Sequence, residues 1–247
     1  MVGGSPENAR WYGCLKMASG QYYDNVNLTL LDEVKTQALS ICEFGCGAGA
    51  FARAVKGRCT SVHYVGVELM ANQLASAKDV LDQALVRNLD QLGDWTQDVE
   101  LSHALPLDGF DHVIFGDVLE HLYDPLSSLK QAVLRLKPSG TALVCIPNVQ
   151  HWSVVQQLIK GSWPQADKGL FDRTHIRWFA LADMLRMMSD AGLEVTKIVP
   201  RIFAPEQGAP FVAALEKASQ LLGVNHQQFT QMSMPIQYVL VGRRKAQ

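Results

Sequence analysis

The sequence predicts an α/β domain built on a doubly wound, mostly parallel sheet. Short apolar runs alternate along the chain with segments of helical periodicity, which is typical of strands joined by crossover helices. The 247 residues, of which 48% are hydrophobic and 19% charged, suffice to bury a full core. No internal repeat or low-complexity segment divides the sequence, so residues 1–247 are predicted to form a single domain.

The predicted elements follow one another at the spacing of such a fold. Strands are predicted at residues 39–44, 61–68, 84–88, 111–115, 141–146, 193–199 and 236–241. Helices are predicted at residues 48–56, 71–81, 125–137, 180–191 and 211–222. Pro125 suits the first position of its helix, whose apolar face would include Leu136. Residues 148–178 and 205–235 are interpreted as insertions on the substrate side.

The composition excludes several classes of protein. A net charge of −2 without a basic patch argues against nucleic-acid and membrane-surface partners. No apolar run reaches the roughly 18 residues of a membrane span, and residues 1–10 lack the apolar core of a signal peptide. The five cysteines form no CxxC pair, which predicts free thiols in a reducing compartment. A cytoplasmic protein is therefore expected.

A glycine-rich turn, Glu-Phe-Gly-Cys-Gly-Ala-Gly at residues 43–49, joins the first predicted strand to the first helix. Glycines let the backbone approach a ligand closely, and the helix that follows offers unpaired N–H groups. Gly45, Gly47 and Ala50 also fit the dinucleotide fingerprint G-x-G-x-x-G/A. Glu68 ends the next strand, where a carboxylate can accept hydrogen bonds from both hydroxyls of a ribose. These residues predict an adenosine-containing ligand, and NAD and S-adenosylmethionine both fit.

Further motifs distinguish these two ligands. The most specific is the run FDHVIFGDVLEHL at residues 110–122, which enzymes that use NAD do not carry. The other motifs are Tyr22-Tyr23 and residues 41–49, 65–68, 136–140 and 146–148. Through them, over roughly residues 20–200, the chain resembles the class I S-adenosylmethionine-dependent methyltransferases. The run FDRTHIRWF at residues 171–179 is similar to the branch found beside glycosyltransferases in polysaccharide and natural-product gene clusters. The quinone-biosynthesis O-methyltransferases are a more distant resemblance.

The resemblance implies a Rossmann-like, seven-stranded sheet with an antiparallel last strand, and S-adenosyl-L-methionine as the cofactor. It implies that Gly45, Gly47 and Gly49 line the methionine and ribose parts of the cofactor, that Glu43 supports the turn and that Glu68 holds the ribose diol. The other implied contacts are Tyr23, Leu69, Asn88, Leu89 and Asp117.

These implied contacts would reach different parts of the cofactor. The family usually has an aspartate at the position of Asn88, whose carbonyl can still accept a bond from the adenine amino group. Asp117 would lie near the sulfonium, and Leu69 would flank the adenine. Residues 1–37 are interpreted as a helical segment over the cofactor, so that Tyr23 would touch it.

Three histidines are candidates for the base that methyl transfer to an oxygen requires. His121 follows the fourth strand, His151 follows the fifth, and His175 lies in the aromatic, basic run. Histidine is the usual base because its pKa lies near neutrality. For each of them a structural role is the alternative, and a reaction without a protein base also stays open. No metal is predicted to be required.

The acceptor side is predicted from the same region. Arg173 and Arg177 would bind a carboxylate or phosphate of the acceptor, or Arg173 would pair with Asp172 and fix the loop. Trp152, with other aromatic residues of this region, would stack on a sugar or ring, the alternative being a place in the core.

The predicted function is O-methylation of a sugar, glycoside or related hydroxylated metabolite by a monomer or homodimer. The alternatives are N-methylation of an amino sugar or small amine, a nicotinamide-dependent oxidoreductase, and a cofactor-binding module without catalysis.

Overall fold

The computed structural model describes residues 26–104, 106 and 108–245 of the chain. Within them, seven strands form one sheet in the order β3-β2-β1-β4-β5-β7-β6. The strands are β1 (Ser40–Phe44), β2 (His63–Glu68), β3 (Gln83–Val86), β4 (Phe110–Gly116), β5 (Leu136–Pro147), β6 (Leu193–Arg201) and β7 (Gln237–Arg244). Neighbours from β3 to β5 pair in parallel, while β7 pairs antiparallel with both β5 and β6. The predicted α/β fold with an antiparallel last strand is confirmed.

Helices cover both faces of this sheet. They are α1 (Leu28–Leu31), α2 (Ala50–Arg58), α3 (Ala71–Ala75), α4 (Val99–His103), α5 (Pro125–Val133), α6 (Trp152–Ile159), α7 (Leu181–Asp190), α8 (Pro205–Ala214), α9 (Glu216–Leu221) and α10 (His226–Ser233). Among the described residues, none of these helices has the length and apolar character that crossing a bilayer requires.

The central strands are apolar along both faces because each face is covered. Phe115 of β4 stacks on Phe44 of β1, with 4.7 Å between the ring centroids, and belongs to the core cluster that includes residues of α5 and α7. Ile114, the preceding residue, belongs to the cluster on the opposite face with residues of α1 and α2. This two-sided burial is the reason that the strands read as continuous apolar runs.

Two predicted helices are shorter in the structure. The helix predicted at residues 71–81 ends at Ala75, and the rest of that segment forms turns. The helix predicted at residues 125–137 ends at Val133, because the backbone enters β5 at Leu136, which pairs with Phe110. A Cβ at Gly140 would lie 2.6 Å from the Phe110 carbonyl oxygen, so this close approach of the strands requires glycine. Leu136 is buried as its pattern indicates, but in a strand.

The two irregular segments contain more helix than predicted. The single helix predicted at residues 211–222 is replaced by α8, α9 and α10. Pro205 occupies the first turn of α8, and Asn225 caps α10 by accepting the Gln228 N–H. Helix α6, which the sequence analysis does not predict, begins after His151.

His112 links β4 to two other segments. Its Nε2 accepts the backbone N–H of Lys35 (3.1 Å), and its Nδ1 lies 2.7 Å from the hydroxyl oxygen of Thr141. Burial, aided by the charge of Lys35, lowers the pKa of His112 from 6.5 to about 4. The fold therefore contains the neutral imidazole.

Acidification is expected to destabilise the fold through His112. Between pH 6.5 and pH 4 the unfolded chain binds this proton and the folded chain does not, so the free energy of unfolding falls as the pH falls. The loss amounts to about 3 kcal/mol by pH 4. Urea unfolding at pH 7 and pH 4.5 measures this fall in the free energy of unfolding. The fall between these two pH values should be smaller in His112→Gln than in the wild type. Equal losses in the two proteins would contradict the assignment.

Candidate cofactor and acceptor site

The candidate site lies at the carboxyl edge of the three adjacent strands β2, β1 and β4. β1 leads into the glycine-rich turn, β2 ends at Glu68, and Asp117 directly follows β4. The strand order reverses its direction between β1 and β4, and ligands of open parallel sheets bind at such a reversal.

The glycine-rich turn has a backbone that glycine favours. Gly45, Gly47 and Gly49 all have positive φ angles, of 73°, 51° and 78°. The Gly45 N–H donates to the Val67 carbonyl oxygen (2.7 Å), and a Cβ on Gly45 would overlap the side chain of Val118. The turn is therefore held between β2 and the segment that follows β4.

Glu68 fixes this turn from the neighbouring strand. One carboxylate oxygen accepts the N–H of Gly47 and the other accepts the N–H of Met70, each at 2.9 Å. Each oxygen keeps lone-pair capacity for a further donor. Beside it, the large apolar side chains of Leu69 and Met70 are 57% and 52% exposed. A carboxylate between a glycine turn and apolar side chains suits the ribose and base of an adenosine.

Asn88 and Leu89 begin a short 3-10 helix after β3. The Asn88 side-chain oxygen accepts the N–H of Asp90 (3.0 Å), so the predicted acceptor for an adenine amino group already caps the backbone. A carbonyl oxygen has two lone pairs, and one of them remains. Leu89 is partly buried and packs against the core.

Glu43 is tied to the sheet. It is buried at the end of β1, and its Oε2 accepts the hydroxyl of Tyr64 on β2 at 2.8 Å. Burial raises the pKa of Glu43 to about 8, against the opposing effect of the Tyr64 hydrogen bond. This contact joins β1 to β2 below the turn, and the predicted contact with the cofactor stays a prediction.

Asp117 has a strained backbone, with φ of 57° in a residue that is not glycine. Its N–H donates to the Cys145 carbonyl oxygen (3.1 Å), and its carboxylate accepts the side-chain amide of Gln237. The amide oxygen of Gln237 in turn accepts a hydrogen bond from Arg201. Burial raises the pKa of Asp117 to about 6, and the charge of Arg201 opposes this rise. Sequence reasoning missed Gln237 and Arg201, since both reach the site from the far strands β7 and β6.

The structure brings together two of the three candidate histidines. The N–H groups of Ile176 and Arg177 both donate to the Glu120 carbonyl oxygen at 3.0 Å, which packs the 172–177 loop against the segment after β4. The His121 and His175 rings then meet edge to face, with 4.8 Å between centroids. The side chain of Glu120 lies beneath them, with its Oε1 3.9 Å from His175 Nε2. We call Glu120, His121 and His175 the carboxylate–histidine cluster.

The surroundings of the cluster set its protonation. Burial lowers the pKa of His175, and the neighbouring His121 lowers it further. His121 Nδ1 lies 3.1 Å from the Thr174 carbonyl oxygen, an acceptor that favours a proton on this nitrogen. The tautomer with its proton on Nδ1 carries the lone pair of the His121 ring on Nε2.

Comparison with known proteins decides the family. The sequence profile of a methyltransferase domain, Methyltransf_23, matches residues 17–198. The chain belongs to this methyltransferase family. The ubiquinone biosynthesis O-methyltransferase of Aeromonas salmonicida (strain A449) is 25% identical over 168 residues, which cover 67% of each chain. The release factor glutamine methyltransferase of Aliivibrio fischeri (strain ATCC 700601 / ES114) is 26% identical over 158 residues, 60% of this chain and 52% of that one.

Solved structures agree on the fold of the methyltransferase. An S-adenosylmethionine-dependent methyltransferase of Thermotoga maritima superposes with a TM-score of 0.58 at 18% identity, over 97% of this chain and 95% of that one. Membership of the methyltransferase family gives S-adenosyl-L-methionine as the cofactor, as predicted. The residues at the carboxyl edge fit it, since they offer a glycine turn, a carboxylate for a ribose diol and exposed apolar side chains.

His151 and Trp152, two other predicted site residues, make their contacts around α6. His151 is buried and caps α6, with its Nδ1 2.8 Å from the Ser153 hydroxyl oxygen, and burial lowers its pKa to about 4. Trp152 is also buried, and a Cβ on Gly208 of α8 would lie 2.5 Å from its ring. These positions favour packing roles for both, and their catalytic and substrate contacts stay predictions. Tyr23 lies outside the described residues.

Arg173 and Arg177 both make contacts with neighbouring loop residues. Arg173 pairs with Asp167 (2.7 Å), so the pairing of Arg173 with Asp172 is wrong. Asp172 instead accepts both the N–H and the hydroxyl of Thr174, at 2.8 and 2.6 Å. Arg177 donates to the Tyr123 carbonyl oxygen (2.7 Å) and joins the two loops. Binding of an acceptor anion by either arginine stays a prediction.

Gly45→Ala is expected to weaken the binding of S-adenosylhomocysteine by the methyltransferase at least tenfold. The new methyl group would overlap Val118, and alanine at positive φ costs about 1–2 kcal/mol, so the turn must shift away from the cofactor. Isothermal titration measures the affinity. Gly57→Ala in α2 is the matched control, because its Cβ meets no atom within 4 Å and its affinity should equal that of the wild type. An unchanged affinity in Gly45→Ala would refute the assigned position of the cofactor.

Proposed function

We propose that the methyltransferase transfers its methyl group to an oxygen of a small hydroxylated acceptor, such as a sugar or glycoside. The carboxylate–histidine cluster is the observation that carries this proposal. Glu120 and His121 lie three and four residues beyond Asp117, at the sheet edge that offers the cofactor site. An alcohol is a weak nucleophile while it keeps its proton, so a group that receives or labilises that proton is needed.

The described residues divide the work. When bound, S-adenosylmethionine supplies a methyl group on a sulfonium, which a nucleophile displaces in line. Glu68 and the glycine turn would hold the adenosine, and Asp117 would bind the cofactor beside them. The cluster would orient the acceptor hydroxyl, and His121 Nε2 would accept its proton as the oxygen–carbon bond forms and the sulfur–carbon bond breaks. The protein thereby acts mainly by positioning its two ligands.

The two relatives are described as methylating different kinds of atom. The Aeromonas relative is described as an O-methyltransferase and the Aliivibrio relative as a glutamine methyltransferase. The pairing of His121 with His175 favours oxygen, since an amine that is already neutral needs no strong base before it attacks.

The test is release of S-adenosylhomocysteine with a panel of methyl glycosides, catechols, amino sugars and small amines, followed by mass spectrometry of the products. The proposal expects products methylated on oxygen. Methylation restricted to the nitrogen of amino sugars or amines would overturn it. Titration with NAD and S-adenosylmethionine accompanies the panel, and binding of NAD alone would overturn the cofactor assignment as well.

A further inference from the structure

We infer that Glu120, His121 and His175 form a binding site for a divalent transition-metal cation of the Zn²⁺ type. One carboxylate oxygen and one nitrogen of each imidazole lie within 4.8 Å of one another. Two histidines and a carboxylate are a donor set that zinc and related cations accept, at ligand distances of about 2.0–2.2 Å. Modest rotations of the three side chains would close the set around an ion. The sequence alone predicts no metal here.

The carboxylate of Glu120 is the strongest reason for this site. It is 1% exposed, and among the described residues neither of its oxygens has a hydrogen-bond partner. His175 Nε2, at 3.9 Å, is too far for a hydrogen bond. A buried carboxylate without partners is costly, and buried charges in proteins are paired or coordinate metals. A cation between Glu120 and the two rings would satisfy it.

Hydrogen bonds outside the cluster hold both histidines, and His121 has the outer contact that a metal-ligating histidine needs. A metal-bound imidazole commonly donates its other N–H to a carbonyl or carboxylate, which fixes the tautomer. His121 Nδ1 lies 3.1 Å from the Thr174 carbonyl oxygen, and the backbone N–H of His175 donates to the Asp172 carbonyl oxygen, also at 3.1 Å. Thr174 is itself fixed, because its hydroxyl donates to Asp172 at 2.6 Å. The ring of His121 and the backbone of His175 are therefore held in place before an ion binds.

Three protein ligands leave open positions on such a cation. One of these positions would bind the hydroxyl oxygen of the acceptor and lower the pKa of that hydroxyl, as zinc does for bound water, so that the proton would pass to solvent water while His121 Nε2 holds the cation. This catalytic consequence rests on the proposed function, whereas binding of the cation does not.

The test begins with the full chain, freed of metal by chelation and dialysed. Isothermal titration with ZnCl₂ should give one equivalent bound with a dissociation constant in the micromolar range or tighter. Co²⁺ should give visible absorption bands of a site with nitrogen and oxygen ligands, without the thiolate charge-transfer band that cysteine ligands produce. Zn²⁺ should also raise the melting temperature of the wild type, because it binds the folded chain.

Variants locate the ion. Glu120→Gln and His175→Gln should each weaken Zn²⁺ binding at least a hundredfold, while His103→Ala, on an exposed histidine of α4, should leave it unchanged. Circular dichroism confirms that each variant folds. Absence of Zn²⁺ binding by the wild type, or binding that is equal in wild type and both cluster variants, would overturn the inference.

The same measurements distinguish failure of the cation site from failure of the proposed function. If the wild type binds one Zn²⁺ but methylates only amines, the site stands and the oxygen acceptor is wrong. If the metal-free protein methylates hydroxyls at full rate and binds no Zn²⁺, the proposed function stands and the cation site is wrong. Loss of O-methylation on chelation, restored by Zn²⁺, supports both.

Discussion

His121→Ala is expected to lower kcat for methyl transfer to a hydroxyl by about two to four orders of magnitude. The imidazole is the half-buried member of the carboxylate–histidine cluster, while Glu120 and His175 are buried, so it is the member that an acceptor can reach. Removing it takes away the group nearest to the acceptor proton but leaves the glycine turn and Glu68 in place. The dissociation constant of S-adenosylhomocysteine should therefore stay within a few-fold of the wild type.

The measurement is initial-rate kinetics with the best hydroxylated acceptor from the panel, alongside titration of S-adenosylhomocysteine. His103→Ala is the matched control and should keep the wild-type kcat, since His103 lies exposed on α4. A variant His121→Ala with unchanged kcat and a raised KM would show that His121 only binds the acceptor.

Glu68→Ala is expected to weaken the binding of S-adenosylhomocysteine about a hundredfold. A hydrogen bond to a charged group contributes about 1.5–3 kcal/mol, and two such bonds to a ribose would be lost. The turn would also lose the acceptor that holds the Gly47 N–H at 2.9 Å. Glu68→Gln keeps one carbonyl acceptor and should lose less, about tenfold.

Isothermal titration again measures these affinities. Glu194→Gln is the control, because Glu194 belongs to a surface ion pair with Arg243 at the start of β6, distant in the sheet from β2. Its affinity should match that of the wild type. If Glu68→Ala binds S-adenosylhomocysteine as tightly as the wild type does, Glu68 does not hold the ribose and its role is confined to the turn.

The part of the fold that sequence predicts well is the sheet. Each central strand is a largely apolar run between turn residues, because burial on both faces leaves few polar positions, and this local signal can be read without knowledge of the neighbouring strands. Leu136 shows where the signal ends. Its spacing from Leu129 and Val133 suits a helix, yet pairing with Phe110 places it in β5. Apolar periodicity predicts that a side chain is buried. Pairing with another strand determines whether that residue belongs to a helix or to a strand.

The site divides in the same way. Gly45, Gly47, Gly49 and Glu68 are predicted from sequence as cofactor contacts, because a close backbone approach and a ribose diol call for these residue types after successive strands. Glu43 is predicted too, and the structure bonds it to Tyr64. The Tyr64 hydroxyl comes from β2, and the sequence around Glu43 contains no pattern that predicts this hydrogen bond.

The sequence by itself determined the fold class, the glycine turn and the cofactor, since these depend on residues within one strand–turn–helix unit and one distinctive run at residues 110–122. Only the tertiary structure decided that His121 and His175, 54 residues apart, form one cluster while His151 caps a helix. It also decided that Glu120 lies buried beneath them without a hydrogen-bond partner in the described part of the chain. The reason is physical: the 172–177 loop is held by hydrogen bonds to the backbone of Glu120, and such long-range bonds leave no trace in the side-chain pattern of either segment.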